Sequence, residues 1–147
     1  YRLMWMDVKY EPGTLKVVAF DNNGKEVAEK EIYTAGKPHH LVLSADREII
    51  SADGEDLSYI TVSVVDKNGN LCPTADNQLN FEVSGAGKFK AVCNGDATSL
   101  EMFHLPTMKA FSGKLVVTVQ ALKDAGDIEL KVKGKGLKTG EIHVKSE

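Results

Sequence analysis

The 147-residue sequence has only two cysteines, Cys72 and Cys93. Two are too few for the disulfide framework of a small secreted scaffold. One bridge between them is geometrically possible, and two small buried hydrophobic side chains are the simpler interpretation. The composition is 42% hydrophobic and 27% charged, close to that of an average globular protein, so we expect a packed core and not a disordered chain.

An excess of charge of either sign is also missing. The 18 basic and 21 acidic residues give a formal net charge of −3, which provides no electrostatic reason to expect nucleic acid or an anionic membrane as partner. No apolar run reaches the roughly 20 residues that span a bilayer. The first six residues lack the charged and apolar segments of a signal peptide, and this tells us nothing about the compartment.

Helical periodicity and familiar catalytic motifs are absent as well. No window places apolar residues at i, i+3, i+4 and i+7 over three turns, so we predict no α-helix of consequence. The sequence has no Gly-x-Ser-x-Gly elbow and no glycine-rich phosphate loop before a helix. It therefore gives no sign of a serine hydrolase or a nucleotide-binding protein.

What the sequence does contain is period-two alternation, seen most clearly at Ile60, Val62 and Val64. These β-branched residues share one face of a strand that ends in a turn at residues 66–70. We predict an inner strand of a β-sandwich. Similar inward rows follow: Leu41 and Leu43; Leu79, Phe81 and Val83; Phe89, Ala91 and Cys93; Leu115, Val117, Val119 and Ala121; Ile128, Leu130 and Val132; Ile142 and Val144.

The alternation divides the chain near Pro38. Residues 1–37 predict three strands joined by tight turns, the first of them around Met4, Met6 and Val8. Such a meander has one apolar face with nothing to cover it. We therefore predict a truncated β-sandwich domain at residues 1–37 and a complete β-sandwich domain at residues 38–147. The expected fold class is all-β.

Candidate ligand-binding residues are few. His39 and His40 are adjacent, and neighbouring strand residues point to opposite faces, so we expect linker histidines and not a shared metal ion. The acidic turns at residues 53–56 and 66–70 could each hold calcium, although ordinary turn roles are preferred. No pair of carboxylates can be placed on either side of a cleft. We predict no catalytic residue, no metal and no cofactor.

Four aromatic residues are candidates for a packing or interface role: Trp5, Tyr10, Tyr33 and Phe103. Aromatic side chains at a surface can stack on sugar rings. Packing in the core or at a domain interface is the preferred interpretation.

Two sets of segments carry a family resemblance. The first comprises residues 5–15, 24–28 and 34–38, with Ala19 and Asp21. The second comprises residues 45–47, 52–58, 64–66, 69–70, 73–77, 94–96 and 109–114, with Ser99, Glu101 and Phe103. The first set resembles a non-catalytic domain that follows the barrel in bacterial β-galactosidases of glycoside hydrolase family 2, and the second resembles the final domain of that family. The sequence departs from the family pattern at Cys93 and Met108.

The resemblance implies an immunoglobulin-like β-sandwich at the C-terminal end of an enzyme that cleaves terminal β-linked sugars with two glutamates on an upstream (β/α)₈ barrel. No catalytic residue carries over, because none of that barrel is present. The implied role is packing or oligomerisation of the parent, with its upstream domains as partners and with possible self-association through residues 1–37. The alternatives are a carbohydrate-binding module that holds polysaccharide and an invasin-type adhesion or spacer domain. The resemblance suggests a periplasmic or secreted setting.

Overall fold

The computed structural model describes residues 4–147 and divides the chain into two compact units. One unit ends at Thr34 and the other comprises Ala35–Glu147. Every regular element in the described residues is a β-strand, as the alternation predicts. None of residues 4–147 lies in a helix long and apolar enough to cross a bilayer.

The first unit contains a two-stranded antiparallel ribbon, formed by β1 (Thr14–Phe20) and β2 (Glu26–Tyr33). Asp21 holds the connecting turn, because its Oδ1 accepts hydrogen bonds from the backbone N–H groups of Asn23 (2.8 Å) and Lys25 (2.9 Å). The strand predicted around Met4, Met6 and Val8 is not formed, since none of residues 4–13 belongs to a strand. A strand needs a hydrogen-bonded partner, which alternation in the sequence cannot supply.

The second unit is a sandwich of two sheets. Its strands are β3 (His40–Ala45), β4 (Ile49–Ile50), β5 (Leu57–Val65), β6 (Gln78–Gly85), β7 (Gly87–Cys93), β8 (Thr107–Lys109), β9 (Lys114–Ala121), β10 (Gly126–Gly134) and β11 (Gly140–Ser146). One sheet has the order β3-β5-β9-β7 and the other the order β4-β11-β10-β6-β8. The predicted inner strand is β5, which pairs with β3 on one side and β9 on the other.

Side chains from both sheets form one hydrophobic core. Ile60, Val62 and Val64 of β5 are each 0% exposed, so the predicted phase of this strand is confirmed. The inward rows of β9 and β10 are confirmed in the same way, because their members are all buried: Leu115, Val117, Val119, Ala121, Ile128, Leu130 and Val132. The register of β5 with β9 places Leu115 opposite Val62.

The predicted inward row of β7 is wrong at its end. The pairing of β7 with β9 shifts register between Phe89 and Ala91, and beyond this irregularity Val92 is buried while Cys93 is exposed. A bulge inserts one residue and so exchanges the two faces of the strand. Both cysteines are free, with Cys72 in the core and Cys93 at the surface.

The short strand β4 does not continue the edge of the sheet that β3 begins. Ile49 and Ile50 pair in parallel with Lys145 and Ser146 of β11, in the opposite sheet. Ile50 is 3% exposed and belongs to the core. The chain therefore changes sheets directly after β3.

Candidate functional site

An open cleft of about 420 Å³ lies at one end of the sandwich. Its lining comes from the segment before β6 and from the segments that follow β7 and β8: Asp76, Asn94, Asp96, Ser99, Glu101, Lys109, Ala110 and Phe111. Clefts of this size suit a small ligand or a protruding side chain of a partner. Much of the lining belongs to residues 94–106, which connect β7 to β8 and are called here the 94–106 loop.

Asn94 and Asp96 hold the first part of the 94–106 loop. The Asn94 side chain donates from Nδ2 to the Lys109 carbonyl oxygen (3.0 Å) and accepts at Oδ1 from the Asp96 N–H (3.0 Å). Asp96 Oδ1 in turn accepts from the Thr98 hydroxyl (2.7 Å) and from the Thr98 N–H (2.9 Å). These bonds, the hydroxyl first, lower the pKa of Asp96 below its ordinary value.

Glu101 ties the second part of the loop to the sheet. Its two carboxylate oxygens both accept from the Lys109 N–H (3.2 Å each), and Oε1 also accepts from Gln78 Nε2 (3.3 Å). Lys109 belongs to β8 and Gln78 to β6. The Glu101 carboxylate therefore accepts hydrogen bonds from a backbone N–H group and a side-chain amide at the end of the sheet, which is a structural role.

Phe111 lines the cleft and is the first residue of a tight turn with two positive φ angles. Phe111 and Lys114 exchange two backbone hydrogen bonds around Ser112 and Gly113, whose φ angles are 51° and 75°. Two successive positive φ values describe a type I′ hairpin turn. At Gly113 an added Cβ would lie 2.2 Å from the Cys72 carbonyl oxygen, so only glycine fits there.

Two of the three carboxylates that line the cleft, those of Asp96 and Glu101, are already engaged within the chain. Acid–base cleavage of a glycoside requires two carboxylates free to face one bond. In the cleft, Asp96 is engaged by Thr98 and Glu101 by Lys109 and Gln78. The described residues contain no group of three or more metal-ligating side chains.

The two acidic turns considered for calcium are filled by hydrogen-bond donors from the chain itself. Asp66 is 3% exposed and accepts from the N–H groups of Gly36 (2.7 Å), Asn68 (2.8 Å) and Asn70 (2.9 Å). The bond from Gly36 is the main reason that the pKa of Asp66 falls to about 2. Its oxygens serve the turn, as the preferred interpretation had it.

Asp56 is used in a similar way at the other acidic turn. Arg47 donates to both of its carboxylate oxygens (2.7 and 3.3 Å), and the Ser51 N–H donates to one of them (2.9 Å). The Arg47 guanidinium is the first cause that lowers the pKa of Asp56 to about 2. Asp53 accepts from the N–H groups of Glu55 and Asp56 within its own loop.

The histidine pair differs from the expectation. The Nδ1 atoms of His39 and His40 lie 3.1 Å apart, within hydrogen-bond distance, although adjacent residues were expected to diverge. The reason is that β3 begins only at His40, so strand geometry does not apply to His39. Desolvation, followed by the nearby Lys138, lowers the pKa of His39.

The four aromatic candidates are all exposed, at 61% for Trp5, 78% for Tyr10, 51% for Tyr33 and 54% for Phe103. Trp5, Tyr10 and Tyr33 belong to the first unit and Phe103 to the second. The Tyr10 hydroxyl lies 3.5 Å from Thr34 Oγ1, and the Tyr33 hydroxyl donates to Glu31. Phe103 is not among the core residues of the second unit.

Sequence reasoning did not single out the lining of the cleft as a site. Residues 94–96 and 109–114, with Ser99 and Glu101, were noticed only as carriers of the family resemblance. In the sequence these segments share only the family resemblance, and their common location at one cleft becomes visible in the folded chain. Alternation could not show it, because these residues lie in turns and loops.

Comparison with protein families gives two matches. A model described as glycoside hydrolase family 2 C-terminal domain 5 matches residues 41–143. A second model, described as a domain of unknown function (DUF4982), matches residues 1–28.

Two curated relatives are β-galactosidases. The chain is 47% identical to Beta-galactosidase BoGH2A of Bacteroides ovatus over 140 residues, which cover 95% of this chain and 16% of that protein. It is 34% identical to the Beta-galactosidase of Thermoanaerobacter pseudethanolicus over 129 residues, which cover 88% of this chain and 16% of the relative. The chain thus spans about one sixth of the length of these relatives.

Solved structures that resemble this chain are also much longer glycosidases. A glycosyl hydrolase family 2 member from Bacteroides cellulosilyticus matches with a TM-score of 0.89 and 34% identity, over 95% of this chain and 18% of that one. A beta-glycosidase from Bacteroides vulgatus matches with a TM-score of 0.88 and 31% identity, over 94% and 18% of the two chains. The D00-D0 domain of Intimin, at 18% identity and a TM-score of 0.56, shares the fold alone.

Proposed function

Because the chain belongs to the glycoside hydrolase family 2 C-terminal domain 5 family, we propose that it is the non-catalytic C-terminal region of a β-galactosidase-like enzyme. The observation that carries this proposal is the disparity in coverage. The match to Beta-galactosidase BoGH2A takes in 95% of this chain but only 16% of that protein. The chemistry of such an enzyme then belongs to the part of the polypeptide outside these residues.

The role proposed for the chain is to pack against the rest of the parent enzyme and to stabilise its assembly. The carboxylates of Asp96, Glu101, Asp56 and Asp66 support this division of labour, since each is engaged by donors of its own domain. Rigid sandwiches of this kind are suited to holding neighbouring domains in place. On the family resemblance we also place the parent in a periplasmic or secreted setting, which cell fractionation would test.

The test is a comparison of turnover in three proteins: the full-length parent, the parent cut off before residue 35, and the isolated 147-residue chain. With nitrophenyl β-galactoside as substrate, we expect turnover by the parent, none by the isolated chain, and a lower thermal stability of the truncated parent. Turnover by the purified chain that one Asp or Glu substitution abolishes would refute the proposal.

A second candidate function is saccharide binding at the cleft. The observation that favours it is Phe111, which is 47% exposed and lines the cleft beside Asp76, Asn94 and Lys109. An aromatic face next to amide, carboxylate and ammonium groups is a common composition of sugar-binding sites. Calorimetry of the chain with soluble β-galactans tests it, and Phe111→Ala should abolish any heat of binding.

The third alternative, an adhesion or spacer domain, is supported only by the shared fold with Intimin. The sequence that precedes this chain in its parent distinguishes the alternatives. A barrel with paired glutamates supports the enzyme, and a membrane anchor supports the spacer.

A further inference from the structure

The 94–106 loop turns its apolar side chains toward solvent. Leu100 is 97% exposed, Met102 59%, Phe103 54% and Leu105 43%. Four large apolar residues within six positions of one loop are therefore exposed. This is the reverse of the neighbouring strands, where Leu79 and Met108 are 0% exposed.

The exposure does not come from a loose loop. Besides the bonds of Asn94, Asp96 and Glu101 described above, the Phe103 carbonyl accepts from the Val92 N–H (2.8 Å) and the Pro106 carbonyl from the Phe81 N–H (3.0 Å). The Leu105 N–H donates to the Met102 carbonyl (3.2 Å). These hydrogen bonds brace the loop, while its large apolar side chains face solvent.

The exposed apolar residues of the 94–106 loop resemble the residues found at the centres of protein interfaces. Scattered exposed apolar residues are ordinary, whereas contiguous ones mark contact with another surface. Phe and Met are enriched at the centres of protein interfaces. Because the loop is ordered before contact, docking costs little conformational entropy.

We propose that the 94–106 loop is the surface through which this domain docks onto the upstream part of its own parent polypeptide. The inference rests on the proposed function and names the surface that performs it. The relatives are far longer than this chain, which covers only 16% of their length, and the matching family model describes a C-terminal domain. A covalently linked neighbour is present at high effective concentration, which favours an intramolecular partner.

The cleft beside the loop indicates the chemistry of the partner surface. It carries three carboxylates, Asp76, Asp96 and Glu101, against the single ammonium group of Lys109. An apolar surface bearing an arginine or lysine complements both the loop and the cleft. A second copy of the same domain would bring two acidic clefts together, which like-charge repulsion opposes.

The experiment uses the full-length parent with a photo-crosslinking residue at one position, Leu100→p-benzoylphenylalanine. Leu100 is suited to this because it is almost fully exposed and its replacement removes no core contact. The matched control is Tyr59→p-benzoylphenylalanine, at a position that is 47% exposed on β5. Mixing ¹⁴N- and ¹⁵N-labelled protein distinguishes cross-links within one polypeptide from those between copies.

We expect the probe at Leu100 to cross-link to residues upstream of this chain within the same polypeptide, and the probe at Tyr59 to give no such product. In the unsubstituted parent, Met102 should be oxidised by peroxide as slowly as the buried Met108, although it is 59% exposed in this domain. The proposal requires both results.

Cross-links only between copies, equal products from both positions, or rapid oxidation of Met102 would overturn the docking surface. None of these outcomes touches the proposed function, because turnover by the isolated chain is measured separately. Conversely, hydrolysis by the isolated chain would refute the proposed function and leave an upstream cross-link from Leu100 intact.

Discussion

Replacing Val62 by alanine tests the packing of the central strand. Val62 is 0% exposed in β5, between Leu43 of β3 and Leu115 of β9. The substitution removes two methyl groups, worth about 0.8 kcal/mol each in transfer from water. A cavity that the rigid sheets close only in part adds up to about 1 kcal/mol. We expect the free energy of unfolding to fall by about 1.5–3 kcal/mol.

The matched control is Thr61→Ala, one residue away on the opposite, half-buried face. It should cost well under about 1 kcal/mol. Guanidinium titration followed by circular dichroism measures both, and the midpoint should shift for Val62→Ala without a change in the denaturant slope. If Thr61→Ala proved the more destabilising, the phase of β5 would be wrong by one residue, and with it the placement of the core.

Three further predictions concern the turns and the first unit. Gly113→Ala should destabilise the domain by about 1–3 kcal/mol, because φ is positive there and the new Cβ would approach the Cys72 carbonyl; unchanged thermal stability would contradict this. Since the pKa of Asp66 is lowered from 3.8 to about 2, its contribution to stability is complete above pH 4 and lost as the pH falls through about 2. Asp66→Asn should therefore lower stability at pH 7 and weaken the acid dependence of the unfolding midpoint, and an unchanged pH profile would count against the assignment. The isolated chain should self-associate through the exposed apolar residues of its first unit, Trp5 among them. Deletion of residues 1–37 should then make the chain monomeric in analytical ultracentrifugation. An intact chain that sediments as a monomer at high concentration would contradict this prediction.

Local periodicity identified the strands that lie inside a sheet. In β5, β9 and β10 one face is buried and the other is half-buried or exposed, apart from Val65 and Gln120, so burial in the folded state follows the alternation of the sequence closely. The absence of helical periodicity similarly indicated an all-β domain, and the segments that carry the family resemblance led to the family that comparison then showed.

The sequence by itself therefore determined which residues prefer strands, where the turns fall and which rows are buried, since these depend on neighbours a few positions away. Tertiary structure alone decided the features that depend on distant partners. The bulge after Phe89 turns Cys93 outward, pairing with β11 places Ile49 and Ile50 in the opposite sheet, and residues 4–13 join no strand. The outward apolar face of the 94–106 loop belongs to the same class, because the hydrogen bonds that fix it come from β6, β7 and β8, which meet only in the folded chain.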